Sequence, residues 1–154
     1  MSAEQNIAQD RRFAEVVLTE HRLDQLDLYI HEDFVEENPV PGQRQGREGL
    51  REFLGAMFAA FPDLRWTVQD VVGQDDTTMG WSFWEGTHRA EFMSIPATGR
   101  RVSVEAWVLD RYRDGRVISS RIIMDQLGLL RQLGVIPSPE HHPQGNVGGS
   151  DANP

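Results

Sequence analysis

Apolar residues recur at helical spacing over the first sixty positions and then, from about Leu64 onward, at every second position. Ile7, Phe13, Val16 and Val17 fall on one face of an amphipathic helix running from about Ala3 to Arg22. Leu23, Leu26, Leu28 and Ile30 predict a second, short helix, and His31-Glu32-Asp33 breaks its pattern. Phe34, Val35 and Asn38 open an extended segment that ends in the turn signal Pro39-Val40-Pro41-Gly42. Leu50, Phe53, Leu54, Met57, Phe58 and Phe61 follow the i, i+3, i+4 rule, so a third helix spans about Arg47 to Phe61, where Pro62 ends it.

Period two then takes over. Leu64, Trp66, Val68, Val71 and Val72 predict one strand, and Met79 to Phe92 a long second one with a bulge at Gly86. Pro96-Ala97-Thr98-Gly99 marks a turn, followed by strands over Arg101–Tyr112 and Arg116–Asp125. Helices first and consecutive antiparallel strands afterwards argue for an α+β fold, with three N-terminal helices packed on one side of a curved sheet.

The last two strands form a hairpin about Asp114-Gly115, because a type I′ turn needs φ > 0 at both central residues. With a two-residue turn, Asp125 faces Val104 and shares a face with Ala106, Val108, Asp110, Ser119, Arg121 and Ile123. Trp107, Leu109, Ile118, Ile122 and Met124 take the opposite face. The mixed face is assigned to an interior site and the Trp107 face to packing; a single bulge would exchange the two. Leu127, Leu129, Leu130 and Leu133 follow at helical spacing, and Gly134 stops that helix.

Composition narrows the class. The chain of 154 residues is 39% hydrophobic, the size of one domain, assigned to 1–136. No apolar run reaches the ~18 residues of a membrane span, and the polar start MSAEQNIAQDRRF lacks a signal-peptide core. A cytoplasmic setting without membrane contact is the default. A net charge of −9 opposes a nucleic-acid partner, and Arg111, Arg113 and Arg116 at the hairpin tip stand beside Asp110 and Asp114. With no cysteine there is no disulfide framework and no thiolate zinc site. The segment 137–154 is rich in Pro, Gly and polar residues and is expected to be a flexible tail; its His141-His142 pair is read as solvated, so no metal is expected. No Walker loop, GxGxxG, GxSxG or HExxH occurs.

Four segments carry a resemblance: DFVEENPVPG (33–42), GREGLREFLGAMFAAFPDL (46–64), GTHRAEFMSIPATGRRV (86–102) and RYRDGRV with MDQLGLLRQLGV (111–135). In these the chain resembles the SnoaL-like polyketide cyclase family, within the superfamily of cone-shaped α+β barrels. That resemblance implies a conical barrel with a helix-lined internal cavity and assembly through the outer sheet face as a homodimer or homotetramer. It further implies a cofactor-free intramolecular aldol closure on a hydrophobic, polycyclic aromatic substrate. Relatives assigned to hydroxylation, and epoxide hydrolases, isomerases and binding modules in the wider superfamily, keep other functions open.

The resemblance places the acid/base aspartate on the C-terminal strand, where Asp125 is the acid after the turn. One carboxyl can take an acidic α-proton and return it to the new alkoxide if burial raises its pKa. Asp125 equally fits an N-cap of the helix from Gln126, and the two readings do not exclude each other. His88 in GTH is the second catalytic candidate, to polarise a carbonyl or hold water; a satisfied core histidine is the competing reading. Arg121 grips a polar end of the ligand or pairs with Asp110. Asn38 offers a side-chain amide, Trp84 a flat surface, and Asp63 a position at the cavity rim or an ordinary turn. Asp110, Arg121 and Asp125 supply the residue types of an epoxide-opening or hydroxylating site. A binding protein without chemistry is the third reading.

Overall fold

The computed structural model describes residues 2–139. The His141-His142 pair and most of the predicted tail lie outside the described residues.

Helix α1 (Ala3–Phe13) starts at a capping box, in which Gln5 N donates to Ser2 Oγ at 3.2 Å and Ser2 N donates to Gln5 Oε1 at 2.8 Å. From Ala14 to Thr19 the coil widens to i→i+5 bonding, and Glu20 N reaches Glu15 O at 3.0 Å. The helix therefore stops short of the predicted Arg22. A 3-10 turn over Leu23–Leu28 follows. Strand β1 (Ile30–Glu36) begins earlier than the sequence pattern suggested, so Ile30 and His31-Glu32-Asp33 are strand and not helix end. Helix α2 (Gly46–Ala60) matches its prediction, and Arg51 ties it to the 3-10 turn by donating to Leu23 O at 2.7 Å.

Strands β2 (Arg65–Gln74), β3 (Thr77–Thr87), β4 (Arg101–Arg113) and β5 (Arg116–Met124) join β1 in one sheet, ordered β1-β5-β4-β3-β2, and α3 (Gln126–Gln132) closes the described fold. The fold is thus α+β with a mostly antiparallel sheet. The exception is β1, which runs parallel to β5. α1, the coil after it and α2 cover the inner face of the sheet around a core that includes Val17, Leu54, Met57, Phe61, Trp84 and Val104. No helix among the described residues is long and apolar enough to cross a membrane.

Two register findings matter. β3 ends at Thr87, not Phe92, and Gly86 pairs with Val102 without a bulge. A Cβ on Gly86 would stand 3.1 Å from Phe61 Cβ and 3.3 Å from Asp63 Oδ1, so close approach of the α2–β2 connection is what glycine permits there. The bulge in this region lies in β2, between Val68 and Asp70.

In the hairpin, Asp114 and Gly115 have φ of 52° and 76°, as the turn required. Tyr112↔Val117 and Arg113↔Arg116 keep the two-residue register. Beyond them the register slips at Ile118, giving Asp110↔Ser120, Val108↔Ile122 and Ala106↔Met124. The slip turns β5 over relative to β4. Ala106, Val108 and Asp110 face inward as expected, but their partners are Ser120, Ile122 and Met124. Arg121 and Ile123 are exposed on the outer face.

Gly86→Ala is expected to cost roughly 1–3 kcal/mol through overpacking against Phe61. Urea denaturation should show a lower midpoint with an unchanged slope.

Candidate functional site

The inner face of the sheet carries one polar row. Register places Thr78 of β3 beside Asp110 of β4, Asp110 beside Ser120 of β5, and Ser120 beside Glu36 of β1. Strand spacing sets Glu36 and Asp110 about 10 Å apart at their Cα atoms, with only the small Ser120 between them. Parity explains why Glu36 points in: Phe34 and Glu36 alternate with the exposed Val35 along β1. Above the row, Asp10 of α1 reaches over Gly80, where a Cβ would come within 3.8 Å of its Oδ2.

Glu36, Asp110 and Ser120 form the polar end of a cavity of about 100 Å³. The remaining wall is largely apolar and comes from all layers, with Phe13 from α1, Phe53 and Met57 from α2, Trp66 from β2 and Ile122 and Met124 from β5. An apolar cavity of about 150 Å³ holds a benzene molecule, so this space is on the scale of no more than one ring.

Burial governs the electrostatics. It pushes Asp110 up from 3.8 to about 7; the Ser120 hydroxyl opposes the rise, and Asp10 and Glu36 add to it. Glu36 is pushed up from 4.5 to about 7, again chiefly by burial, with the Asn38 backbone N–H opposing and Glu37 reinforcing. Asp10 rises to about 6 by burial, against the pull of Arg11. Tyr112, buried next to these acids, is also raised. Asp110 Oδ1 and Glu36 Oε1 are buried without a hydrogen-bond partner. Two carboxyls raised towards neutrality in a largely apolar cavity can act as acid and base.

The sequence candidates fare unequally. Asp110 lies in the cavity wall. Asn38 lines it too, but its amide is committed to one peptide: Oδ1 accepts from Ile122 N at 2.9 Å and Nδ2 donates to Ile122 O. The side chain thereby extends the β1–β5 pairing past Glu36 and is not left free for a substrate carbonyl.

Asp125 requires correction. It is exposed and caps α3, accepting from Gly128 N at 2.9 Å, and is not part of the cavity lining. Arg121 is also displaced, by the Ile118 slip; it pairs with Glu37 at 3.2 Å on the outer face instead of Asp110 or a ligand. Asp110, Arg121 and Asp125 therefore do not meet around a common point. His88 is fully buried outside the lining, stacked on Phe61, and its Nδ1 accepts from Thr98 N at 3.2 Å, so it holds the 88–99 loop. Trp84 stands behind the wall, where its Nε1 donates to Sδ of the lining residue Met124 at 3.2 Å. Asp63 accepts from Thr87 N and Oγ1, each at 2.7 Å; the Thr87 N–H leads in holding it low, and it pins a connection away from the lining.

Asp110 and Glu36 hold their protons more tightly folded than unfolded. Their stabilising share is full below about pH 4 and is lost as pH rises through about 7. Wild type should therefore lose stability between about pH 5 and pH 8 relative to Asp110→Asn, by on the order of 1–3 kcal/mol or a few degrees in Tm. Thermal unfolding of both proteins across that range measures the difference.

Comparison with known proteins gives a consistent grouping. A family model described as SnoaL-like polyketide cyclase matches residues 8–133. The chain is similar to TsrD from Streptomyces laurentii, with 27% identity and a TM-score of 0.81 over 88% of this chain and 99% of that one. It is similar to wild-type IdmH from Streptomyces antibioticus, a candidate polyketide cyclase, with 31% identity and a TM-score of 0.71 over 87% and 99%. AclR from Streptomyces galilaeus, a candidate hydroxylase, shares the fold at 23% identity and a TM-score of 0.77, over 91% and 87%. Among curated proteins no match is found.

Proposed function

The chain belongs to the SnoaL-like polyketide cyclase family, and we propose that it closes a ring by cofactor-independent acid/base chemistry, with Asp110 as the acid/base and Glu36 as its partner. The observation that carries this reading is the pair of buried carboxyls flanking Ser120 at the polar end of an otherwise apolar cavity. The ionised carboxylate takes an α-proton made acidic by flanking carbonyls. The enolate carbon bonds to an electrophilic carbonyl carbon as its C=O π bond opens. The new alkoxide then takes a proton from a carboxyl. The substrate's own carbonyls spread the enolate charge, and the apolar wall keeps the carboxyls near neutrality, where both directions of transfer are accessible. The cavity volume favours entry of one ring of a hydrophobic substrate at a time.

Turnover of an aromatic β-keto ester carrying a tethered ketone tests this reading. Asp110→Asn should lower kcat/KM by about 100-fold or more, Glu36→Gln by about 10-fold, and Asp125→Asn by less than about 3-fold. Retained turnover in Asp110→Asn, or its loss in Asp125→Asn alone, would overturn the assignment.

The outer sheet face is proposed to bind a second copy of the chain. Trp81 and Trp107 stack there at 5.9 Å between ring centroids, and Met79 and Ile123 beside them are also exposed. An exposed apolar patch of this kind marks an association surface. Trp107→Glu should convert a dimer or tetramer to monomer in light-scattering chromatography, with the far-UV spectrum unchanged.

A further inference from the structure

The cavity is lined by two carboxyls and no cationic side chain among the described residues. Among the described residues that line it there is no Lys, Arg or His, while Glu36 and Asp110, 6% and 7% exposed, each present an unpartnered oxygen. A buried carboxyl oxygen without a donor is costly, and it is relieved only by a donor that arrives from outside or by one the protein has in reserve. Several nearby protein groups are already used, and the remaining lining donors, Gln43 Nε2 and the Ser120 hydroxyl, are neutral and bring no countercharge. The Asn38 amide serves Ile122, Gln43 Oε1 accepts from Val40 N at 3.3 Å, and the Gln45 amide pairs with the Glu36 main chain. The charges that act on Glu36 and its neighbour Asp110 are those of Glu37 and Asp10 and of the two groups on each other, all acidic, while Arg11 acts on Asp10. Arg47 of α2 is committed to Asp27 and the Ile30 carbonyl, and Arg121 of β5 to Glu37.

The rest of the wall suits the other half of such a ligand. Phe13, Phe34, Phe53 and Trp66 line the cavity, and aromatic faces attract cations as well as hydrocarbon. We propose that the molecule bound here carries a protonated amine, seated against Glu36, with its ring among the aromatic side chains. The ammonium supplies a donor together with the countercharge that no lining side chain carries, and Asp110 remains free as acid/base. An anionic ligand meets two acids inside a chain of net charge −9. The inference uses the same cavity as the ring-closure reading but not its chemistry, so the two can fail separately.

Calorimetric titration of the whole protein with benzylamine, benzyl alcohol and benzoate, three ligands of one ring and nearly one size, tests the proposal. Benzylamine is expected to bind at least about 10-fold tighter than benzyl alcohol near pH 7.5, and benzoate to give no binding heat. Binding ionises Glu36, so proton release per amine, read from buffers of different ionisation heat, should rise towards one as pH falls from about 8.5 to about 6. Glu36→Gln should reduce the preference for the amine to below about 3-fold, and Asp125→Asn, outside the lining, should keep it. The wild-type comparison and its proton release decide the matter even where Glu36→Gln does not fold. Equal affinity for the amine and the alcohol, tighter binding of benzoate, or no binding of benzylamine would overturn the proposal. Ring closure without amine preference would leave the cyclase reading standing, and amine preference without ring closure would leave this one.

Discussion

One extra residue in β5 decides what the cavity is. The slip at Ile118 separates a turn-proximal register from the one that governs the rest of the hairpin. Because side chains alternate with period two, a one-residue slip exchanges the faces of everything beyond it. Ser120, Ile122 and Met124 go inside, and Arg121 goes to the surface. Without the slip, Arg121 would have faced Val108 on the inner side, diagonal to Asp110. With it, Asp110 has a small hydroxyl for a neighbour and a second acid beyond that.

The row that results runs against the ordinary preference of a protein interior. Four polar side chains cross a face that is otherwise core, and two of them are carboxyls whose charged forms are disfavoured there. Protonation near neutrality lets the row persist, since a neutral carboxyl costs far less to bury than a carboxylate. Asn38 adds rigidity at one end by acting as a surrogate peptide unit on Ile122, so the β1–β5 pairing continues where the main chain has already turned away.

Much of this fold is legible in the sequence because it is local. The apolar stripe of α2, the Asp114-Gly115 turn and the period-two strands each report their own conformation. The site is less legible because it depends on who pairs with whom. No glycine or proline at or beside Ile118 announces a slip, so simple alternation from the turn puts Arg121 and Asp125 on the inner face. Asp125 had two readings, and the cap is the one its geometry satisfies. Glu36 does have a sequence signal: it lies two residues after Phe34 on an extended segment, on the same side. Asp10 likewise shares a helical face with Phe13 and Val17. His88, Trp84 and Asp63 sit on elements that border the site, but each is turned to an internal partner that only the folded chain supplies.

The parallel pairing of β1 with β5 has a consequence for how the molecule comes into being. β1 ends at Glu36, and its partners on β5 run from Val117 to Ser120, so the first strand made must wait for the last. During synthesis from the N-terminus, α1, α2 and the β2–β3 hairpin can all be complete while β1 still presents an unpaired edge. Such long-range closure is slow, and it leaves apolar surface open to other chains in the interval. Glu36 and Asp110 come together only at that final docking event. The polar end of the cavity is therefore among the last features to exist.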